Sequence, residues 1–505
     1  MDVLEVRSDE KNDENEHLLS ETNINRDKEA LKGKQLKKSL GFLHVFACVV
    51  GVFIGSGFFL SPSLVAAQTV NMGMALLAWV IAGSICLFAS LCCCELAVIF
   101  RNSGGLFFFI KKTYGDIPAF LVNWTQVLII IPCALAVLSI TVAEHIIEPL
   151  CALDSQLGVW LVKAVAIVCI LVAFLINCMT AEFVGRAQIY LTIFQVAVIV
   201  VLVVIGGWRV ANGHVENYSR MFSDTGQQNP TKFFLALYNA LWSFEGWGTF
   251  FNMAEEQKNL EKDLKLSLLT GIPFMTICYI ILNLAFMSTL SHSDIASSRT
   301  LVSKFVSVAI GEKGGFVTPI FVALSVFGSF NAFLFTSARA LMSASREGHF
   351  PEPLSYIHLK RRTPIPALLA LLLFALTWTL LLGSQIQALI TYFTFAVWFI
   401  YGLAIFAVIV LRVRFPDTPR PYKTWLVNPI IMSLVACCLI LMQLYNRFID
   451  SVIAGGVILA GMPMYVLFVS NQYKMPLCLM KERAYTFVAV QFNLVPCVSS
   501  EDDID

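Results

Sequence analysis

This chain carries little charge. Asp, Glu, Lys and Arg make up 14% of its 505 residues, and 35 basic against 34 acidic side chains leave a net charge of +1. A net charge so near zero says nothing for a nucleic-acid partner, and none is expected. Catalytic signatures are missing as well. There is no nucleophile–base pair, no His-Glu zinc motif and no nucleotide-binding loop, so neither an enzyme nor a cofactor is expected. The 14 cysteines follow no metal or redox spacing. Cys92, Cys93 and Cys94 are consecutive, and three successive residues on a helix fan over about 200°, too wide to converge on one ion. They read as small buried apolar residues. Nor does the extreme N-terminus carry an apolar core, which argues against a cleavable signal peptide. Residues 1–40 read instead as a disordered cytoplasmic tail, with the first apolar segment acting as signal anchor.

Hydrophobic residues are abundant, at 57% of the chain with a mean hydropathy of +0.74. At about 20 apolar residues per span, this composition predicts an all-α polytopic membrane protein of about twelve transmembrane helices. Their approximate bounds are 42–67, 73–100, 118–147, 158–179, 186–208, 231–255, 265–290, 315–345, 365–382, 386–412, 424–446 and 450–471. The transporter domain thus covers 41–471, and 472–505 is a cytoplasmic C-terminal tail.

Basic residues set the orientation. Connections after the even-numbered spans hold Arg101, Lys111, Lys112, Arg186, Lys258, Lys262, Lys265, Arg339, Arg346, Lys360, Arg361, Arg362, Arg412, Arg414, Arg420 and Lys423. The loops around 61–72 and 383–387 hold neither Lys nor Arg. Both termini are therefore expected in the cytoplasm. The glycosylation sequon Asn217-Tyr218-Ser219 then falls outside, as it should, whereas the sequon at Asn123 lies within a span and is discounted. Cys151 is the one cysteine placed in an extracellular, oxidising loop, so it is either a free thiol or half of a bridge to another protein.

Two spans are interrupted. Residues 52–59, Val-Phe-Ile-Gly-Ser-Gly-Phe-Phe, place two glycines about a serine inside the first span. Glycine in a helix interior costs roughly 0.5–1 kcal/mol relative to alanine, and backbone unwound in hydrocarbon survives only where it lines a cavity. At such breaks in transporters, a half-helix N-terminus receives the anionic end of a substrate near the bilayer midplane. Gly55, Ser56 and Gly57 are thereby expected to face a carboxylate. Leu241-Trp242-Ser243-Phe244-Glu245-Gly246-Trp247-Gly248 interrupts the sixth span in the same way. A five-span offset puts the two breaks at equivalent positions around one cavity if five-helix repeats of opposite orientation are present, although glycines can also serve close helix packing alone.

Ile54-Gly55-Ser56-Gly57-Phe58-Phe59, Glu95-Leu96 with Ser103-Gly104-Gly105, Trp242 to Trp247 with Glu255-Glu256, and Ser345-Arg346-Glu347-Gly348-His349 occur in the order seen in a known family. From about residue 38 to 475 the chain resembles the light chains of heteromeric amino acid transporters, the L-type family of the amino acid-polyamine-organocation superfamily. The resemblance implies a twelve-helix fold of 5+5 inverted repeats, repeat one about 41–208 and repeat two about 231–412, with two further helices at 424–471. It implies sodium-independent obligatory exchange of amino acids at the plasma membrane, with a single-span glycoprotein heavy chain held through a disulfide, here at Cys151. It further implies that backbone at Gly55–Gly57 holds the substrate carboxylate, and carbonyls near Ile54 and Trp242–Phe244 its ammonium. Trp242 is the natural lid.

Glu245 brings this chain nearer to the light chain that exchanges cationic for neutral amino acids. An intramembrane carboxylate costs roughly 2.5–3.5 kcal/mol unless partnered or wetted. A Lys or Arg substrate can be that partner; a protonated structural glutamate and a proton relay are the other readings. Gln195 stands where these light chains usually carry a lysine that replaces the sodium ion of related carriers, which leaves ion or proton coupling open. Loss of that cation and gain of Glu245 both favour a cationic ligand by Coulomb's law. Phe393, Phe395 and Trp398 are site or core aromatics, Glu347 with Arg346 is a gate pair or a solvated one, and Glu14 to Leu19 fits an acidic dileucine sorting pattern. The reading is thus an antiporter of neutral and cationic amino acids. Its competitors are a proton-coupled or uniporting cationic amino acid carrier without a heavy chain, a channel, and an enzyme.

Overall fold

The computed structural model describes residues 41–42, 46, 50, 53–100, 105–147, 150, 155–223, 227–248, 251, 257–298, 300–382, 386–470 and 494–496. Both tails up to residue 40 and beyond 496, the dileucine pattern, Arg101, Ser103-Gly104, Cys151 and Glu255-Glu256 lie outside the described residues. What is described is almost entirely helical. In chain order the main helices are α1 (Ser56–Ala66), α2 (Met72–Phe100), α3 (Gly105–Tyr114), α4 (Asp116–Ile147), α5 (Gln156–Asn177), α6 (Ala181–Ala211) and α7 (Pro230–Ser243). They continue as α8 (Leu260–Met287), α9 (Leu301–Ile310), α10 (Glu312–Arg346), α11 (Ile365–Leu382), α12 (Ile386–Arg414), α13 (Val427–Asn446) and α14 (Phe448–Met464).

Among the described residues nine helices are long and apolar enough to cross a membrane. The three other expected spans correspond to shorter helices. They are α1 and α7, which are halves of the broken first and sixth spans, and α11. Starts are set by local chemistry. Ser155 Oγ accepts from Gly158 N–H at 2.9 Å to open α5, and Asn229 Oδ1 accepts from Thr231 N–H at 2.9 Å, with Pro230 at the first position of α7.

Burial sorts the helices into an inner and an outer set. In the most apolar stretch of α4, 89% of residues are buried, against 28% in α5 and 22% in α14. α10 packs on α4, α8 on α2, and α7 on α1. The outer helices instead expose Leu175, Ile193, Val204, Leu434 and Ile449, an apolar surface that a lipid bilayer satisfies and water does not. Beyond the helices, β1 (Tyr356–His358) pairs antiparallel with β2 (Leu494–Pro496), Ile357 opposite Val495, so the C-terminal segment returns to the connection between α10 and α11.

One expectation from the basic residues is corrected. Arg339 is not in a connection; it lies inside α10, 2% exposed, where its Nη1 donates to the Phe335 carbonyl at 3.0 Å and its guanidinium sits 3.4 Å from the Phe335 ring centroid. It counts toward packing, not orientation.

Candidate functional site

The first break is a clean change of backbone direction. Ile54 N–H closes the preceding turn onto Val50 O at 2.9 Å, Gly55 is extended (φ −96°, ψ −156°), and α1 restarts at Ser56. The second break begins where α7 ends at Ser243. Phe244–Gly246 form a turn, and Gly246 has φ 117°, a conformation that other residues adopt only with strain.

Both breaks meet. A Cβ on Gly57 would stand 2.6 Å from Ser243 Cα, so only glycine permits this approach. Ser243 Oγ donates to Gly57 O at 3.1 Å. The loosened carbonyls are taken up by side chains from three other helices. The hydroxyl proton of Tyr279, from α8, is shared between Phe53 O (2.7 Å) and Ser243 O (2.8 Å). Ser329 Oγ, from α10, donates to Ile54 O at 2.7 Å. Gln195 Nε2, from α6, lies 3.1 Å from the same Ile54 O, 2.7 Å from Ser325 O and 2.9 Å from Ser329 Oγ. Ile54 O therefore already accepts from two donors, Ser329 Oγ and Gln195 Nε2. Ser243 O, with one acceptor site used, keeps a second lone pair.

A cavity with an empty volume of about 380 Å³ lies between the breaks, walled by Gly55, Gly57, Ser243, Glu245 and Ser329. The N-terminus of α1 and the C-terminus of α7 face it, so partial positive and partial negative ends border one space. Trp242 also lines it and meets Phe393 edge to face, with ring centroids 4.7 Å apart. Of the three aromatics on α12 considered above, only Phe393 reaches this wall. Phe395 and Trp398 are buried, and Trp398 packs on Tyr401 at 5.7 Å. The side chain of Ser56 lies outside the described residues.

Glu245 is partly buried, and the Tyr401 hydroxyl donates to its Oε1. Tyr401 stacks on Trp247 at 4.1 Å. On that side a second cavity, of about 480 Å³, is bordered by Glu245, Gln126, Ser337, Gly248 and Tyr401. Glu245, Phe333 and Phe393 belong to both walls. Gln126 and Ile130 come from the π-helical turn Gln126–Ile130 inside α4, a widening of the helix that is common at functional sites. Tyr279, Ser329, Phe333 and Tyr401 escape a reading of the sequence. For Tyr279, Ser329 and Tyr401 the available signal was that a hydroxyl buried in an apolar span needs a partner; Phe333 offered none.

The remaining candidates separate. Glu347 makes an ion pair with Lys111 of α3, and Asp116 lies 3.8 Å from the same ammonium, so the pairing joins separate elements. Nearby, burial and then the Lys111 charge push His349 down to about 4. Asn217 Nδ2 donates to Met287 O (2.8 Å) and Leu290 O (3.2 Å); a glycan on that nitrogen leaves one hydrogen for the two carbonyls. Asn123 is buried with its Nδ2 3.2 Å from His349 Nδ1, in keeping with discounting its sequon. Cys92, Cys93 and Cys94 are fully buried, and no group of His, Cys, Asp and Glu able to hold a metal occurs among the described residues.

Comparison with known proteins agrees with this architecture. The amino acid permease family model matches residues 40–470. The chain is 33% identical over 439 residues to the human cystine/glutamate transporter, covering 86% of each chain. It is 32% identical over 471 residues to the mouse b(0,+)-type amino acid transporter 1, covering 90% of this chain and 94% of that one. To the mouse large neutral amino acids transporter small subunit 2 it is 32% identical over 454 residues, covering 88% and 83%. Broken apolar helices around one cavity and likeness along nearly the whole length lead to one conclusion: the chain belongs to the amino acid permease family, a class of membrane transporters and not of enzymes.

Proposed function

We propose that this protein is a sodium-independent amino acid antiporter that exchanges neutral and cationic L-amino acids by alternating access. The observation that carries the reading is the pair of opposed helix ends across one cavity. Backbone N–H groups at Gly55–Gly57 open α1, and the carbonyl end of α7 lies at Ser243–Phe244. A zwitterion fits between them, its carboxylate toward α1 and its ammonium toward Ser243 O and its neighbours. The side chain then points to Glu245. A lysine or arginine side chain exchanges the neutral Tyr401 hydroxyl for a full charge partner there, which a leucine cannot do. Whole-chain identity to a cystine/glutamate transporter does not decide substrate charge; the residue at 245 does.

In this reading the chain sits in the plasma membrane with both termini cytoplasmic, twelve helices in 5+5 inverted repeats plus two, and Asn217 outside. It works as the light chain of a heterodimer, Cys151 bridging to a single-span glycoprotein heavy chain. The second reading, a proton-coupled or uniporting carrier acting alone, draws support from Gln195 in place of a cation and from the Glu245–Tyr401 pair.

Countertransport from vesicles preloaded with labelled Arg, Leu or Gln tests both. Exchange requires efflux to depend on external amino acid, and equal release into empty buffer would favour the uniporter. In Glu245→Gln the KM for Arg and Lys should rise at least about tenfold, about 1.4 kcal/mol, with Leu changed much less at pH 6 and pH 8. A parallel loss for Arg and Leu would make Glu245 structural or part of a relay.

A further inference from the structure

A third cavity, with an empty volume of about 400 Å³, begins one helical turn before the Trp242–Phe393 pair on both α7 and α12. Asn239 on α7, Thr391 and Thr394 on α12, and Gln443 on α13 line it, and each is more than nine-tenths buried. Arg447, exposed at the junction of α13 and α14, forms its rim. That pair lines the central cavity and not this one, so the two spaces are distinct along α7 and α12.

Its polar groups are held but not exhausted. Asn239 Nδ2 donates to Leu64 O at 3.2 Å, and Gln443 Nε2 to Thr391 O at 3.3 Å. The amide oxygens of both find no donor among the described residues. The Arg447 guanidinium pairs with no carboxylate among the described residues. Neither oxygen is sealed off from the cavity that its residue lines, so both stay available as acceptors. A cation at the rim with two amide acceptors beneath it is complementary to one chemistry in particular, a carboxylate and an ammonium on the same small molecule.

We propose that this cavity is an outer staging site that binds the zwitterionic backbone of an incoming amino acid, carboxylate to Arg447 and ammonium to Asn239 and Gln443, before Trp242 and Phe393 part. The proposal rests on the exchange reading and on the orientation that puts the α13–α14 junction outside. It has a sided consequence. Such a site speeds loading from the external face only, whatever the side chain, and adds nothing to loading from the cytoplasm.

The test is the external and internal KM for labelled Leu and Gln, both neutral, in intact cells expressing the full chain with its partner subunit. Arg447→Gln should raise both external KM values by roughly two- to fivefold, the range for an exposed ion pair. Internal KM, maximal exchange and surface abundance should stay unchanged, and Arg447→Lys should restore most of the effect. Leucine methyl ester, which has no carboxylate, should compete equally well in wild type and Arg447→Gln. An unchanged external KM, an equal shift on both faces, or failure of the lysine rescue overturns the proposal. Absence of exchange in the wild type would instead defeat the antiporter reading, so the two failures are told apart.

Discussion

Gln195 offers the sharpest test of how the broken first span is coupled to the rest of the bundle. Its amide nitrogen has two hydrogens and faces three acceptors, Ile54 O, Ser325 O and Ser329 Oγ, at 3.1, 2.7 and 2.9 Å. Gln195→Leu deletes about two buried hydrogen bonds. At roughly 1 kcal/mol each, and more where a carbonyl is left short of donors, the loss is about 2–3 kcal/mol. It falls on the contact that ties α6 and α10 to the break. Exchange of Arg and Leu should therefore slow together, with a lower unfolding temperature. Gln195→Lys acts differently. An ammonium has three N–H groups for the same three acceptors, so the contact is kept, but a positive charge enters just behind the wall that Ser329 lines. Two like charges about 10 Å apart in an effective dielectric of about 20 repel by about 1.7 kcal/mol, more than tenfold in affinity. The KM for Arg should rise accordingly while that for Leu stays within about twofold. Concentration series in preloaded vesicles read both variants. An unchanged Arg-to-Leu ratio in Gln195→Lys would refute the electrostatic account of selectivity, and normal rates in Gln195→Leu would refute the coupling.

Three further outcomes are expected. Glu95, 1% exposed, is bound by Arg412 through Nε (2.9 Å) and Nη2 (2.5 Å), by Thr424 N–H at 2.9 Å, and lies 3.5 Å from Arg420 Nε. Glu95→Ala leaves Arg412 and Arg420 with backbone carbonyls but no carboxylate and should cost about 3–5 kcal/mol, read as a fall in unfolding temperature that Glu95→Gln reproduces only in part; an unchanged temperature contradicts it. His349 is held neutral down to about 4, whereas an unfolded histidine protonates near 6.5. The unfolded chain thus binds the proton first, and stability is complete above pH 6.5 and declines toward pH 4 by up to about 1.4 kcal/mol per pH unit. The difference between wild type and His349→Gln across that window isolates the effect, and parallel curves would exclude it. From native membranes, a nonreducing gel should show a larger species that collapses on reduction and is absent in Cys151→Ser; monomer alone in the unreduced wild type rejects the tether.

Where the backbone breaks was legible because glycine is a local cost. Gly55, Gly57 and Gly246 punctuate runs that hydrophobicity alone would make continuous, and the structure interrupts both helices there. Which groups repair the breaks was not legible, because a buried tyrosine, serine or glutamine declares a need for a partner without an address. Tyr279 reaches Phe53 across 226 positions and Ser329 reaches Ile54 across 275. Yet the two problems are one. A membrane interior supplies no water to an unwound carbonyl, so each break obliges some polar side chain elsewhere to enter the bundle. Tyr279, Ser329 and Gln195 all direct their donors at carbonyls released by Ile54–Gly55 or Ser243–Phe244. Glu245 stands with one foot in this repair and one outside it, since its carboxylate accepts from the Tyr401 hydroxyl and also from the Gly246 backbone N–H inside the second break. In the exchange reading a cationic substrate therefore has to replace the Tyr401 hydroxyl, while the Gly246 N–H keeps the carboxylate in place.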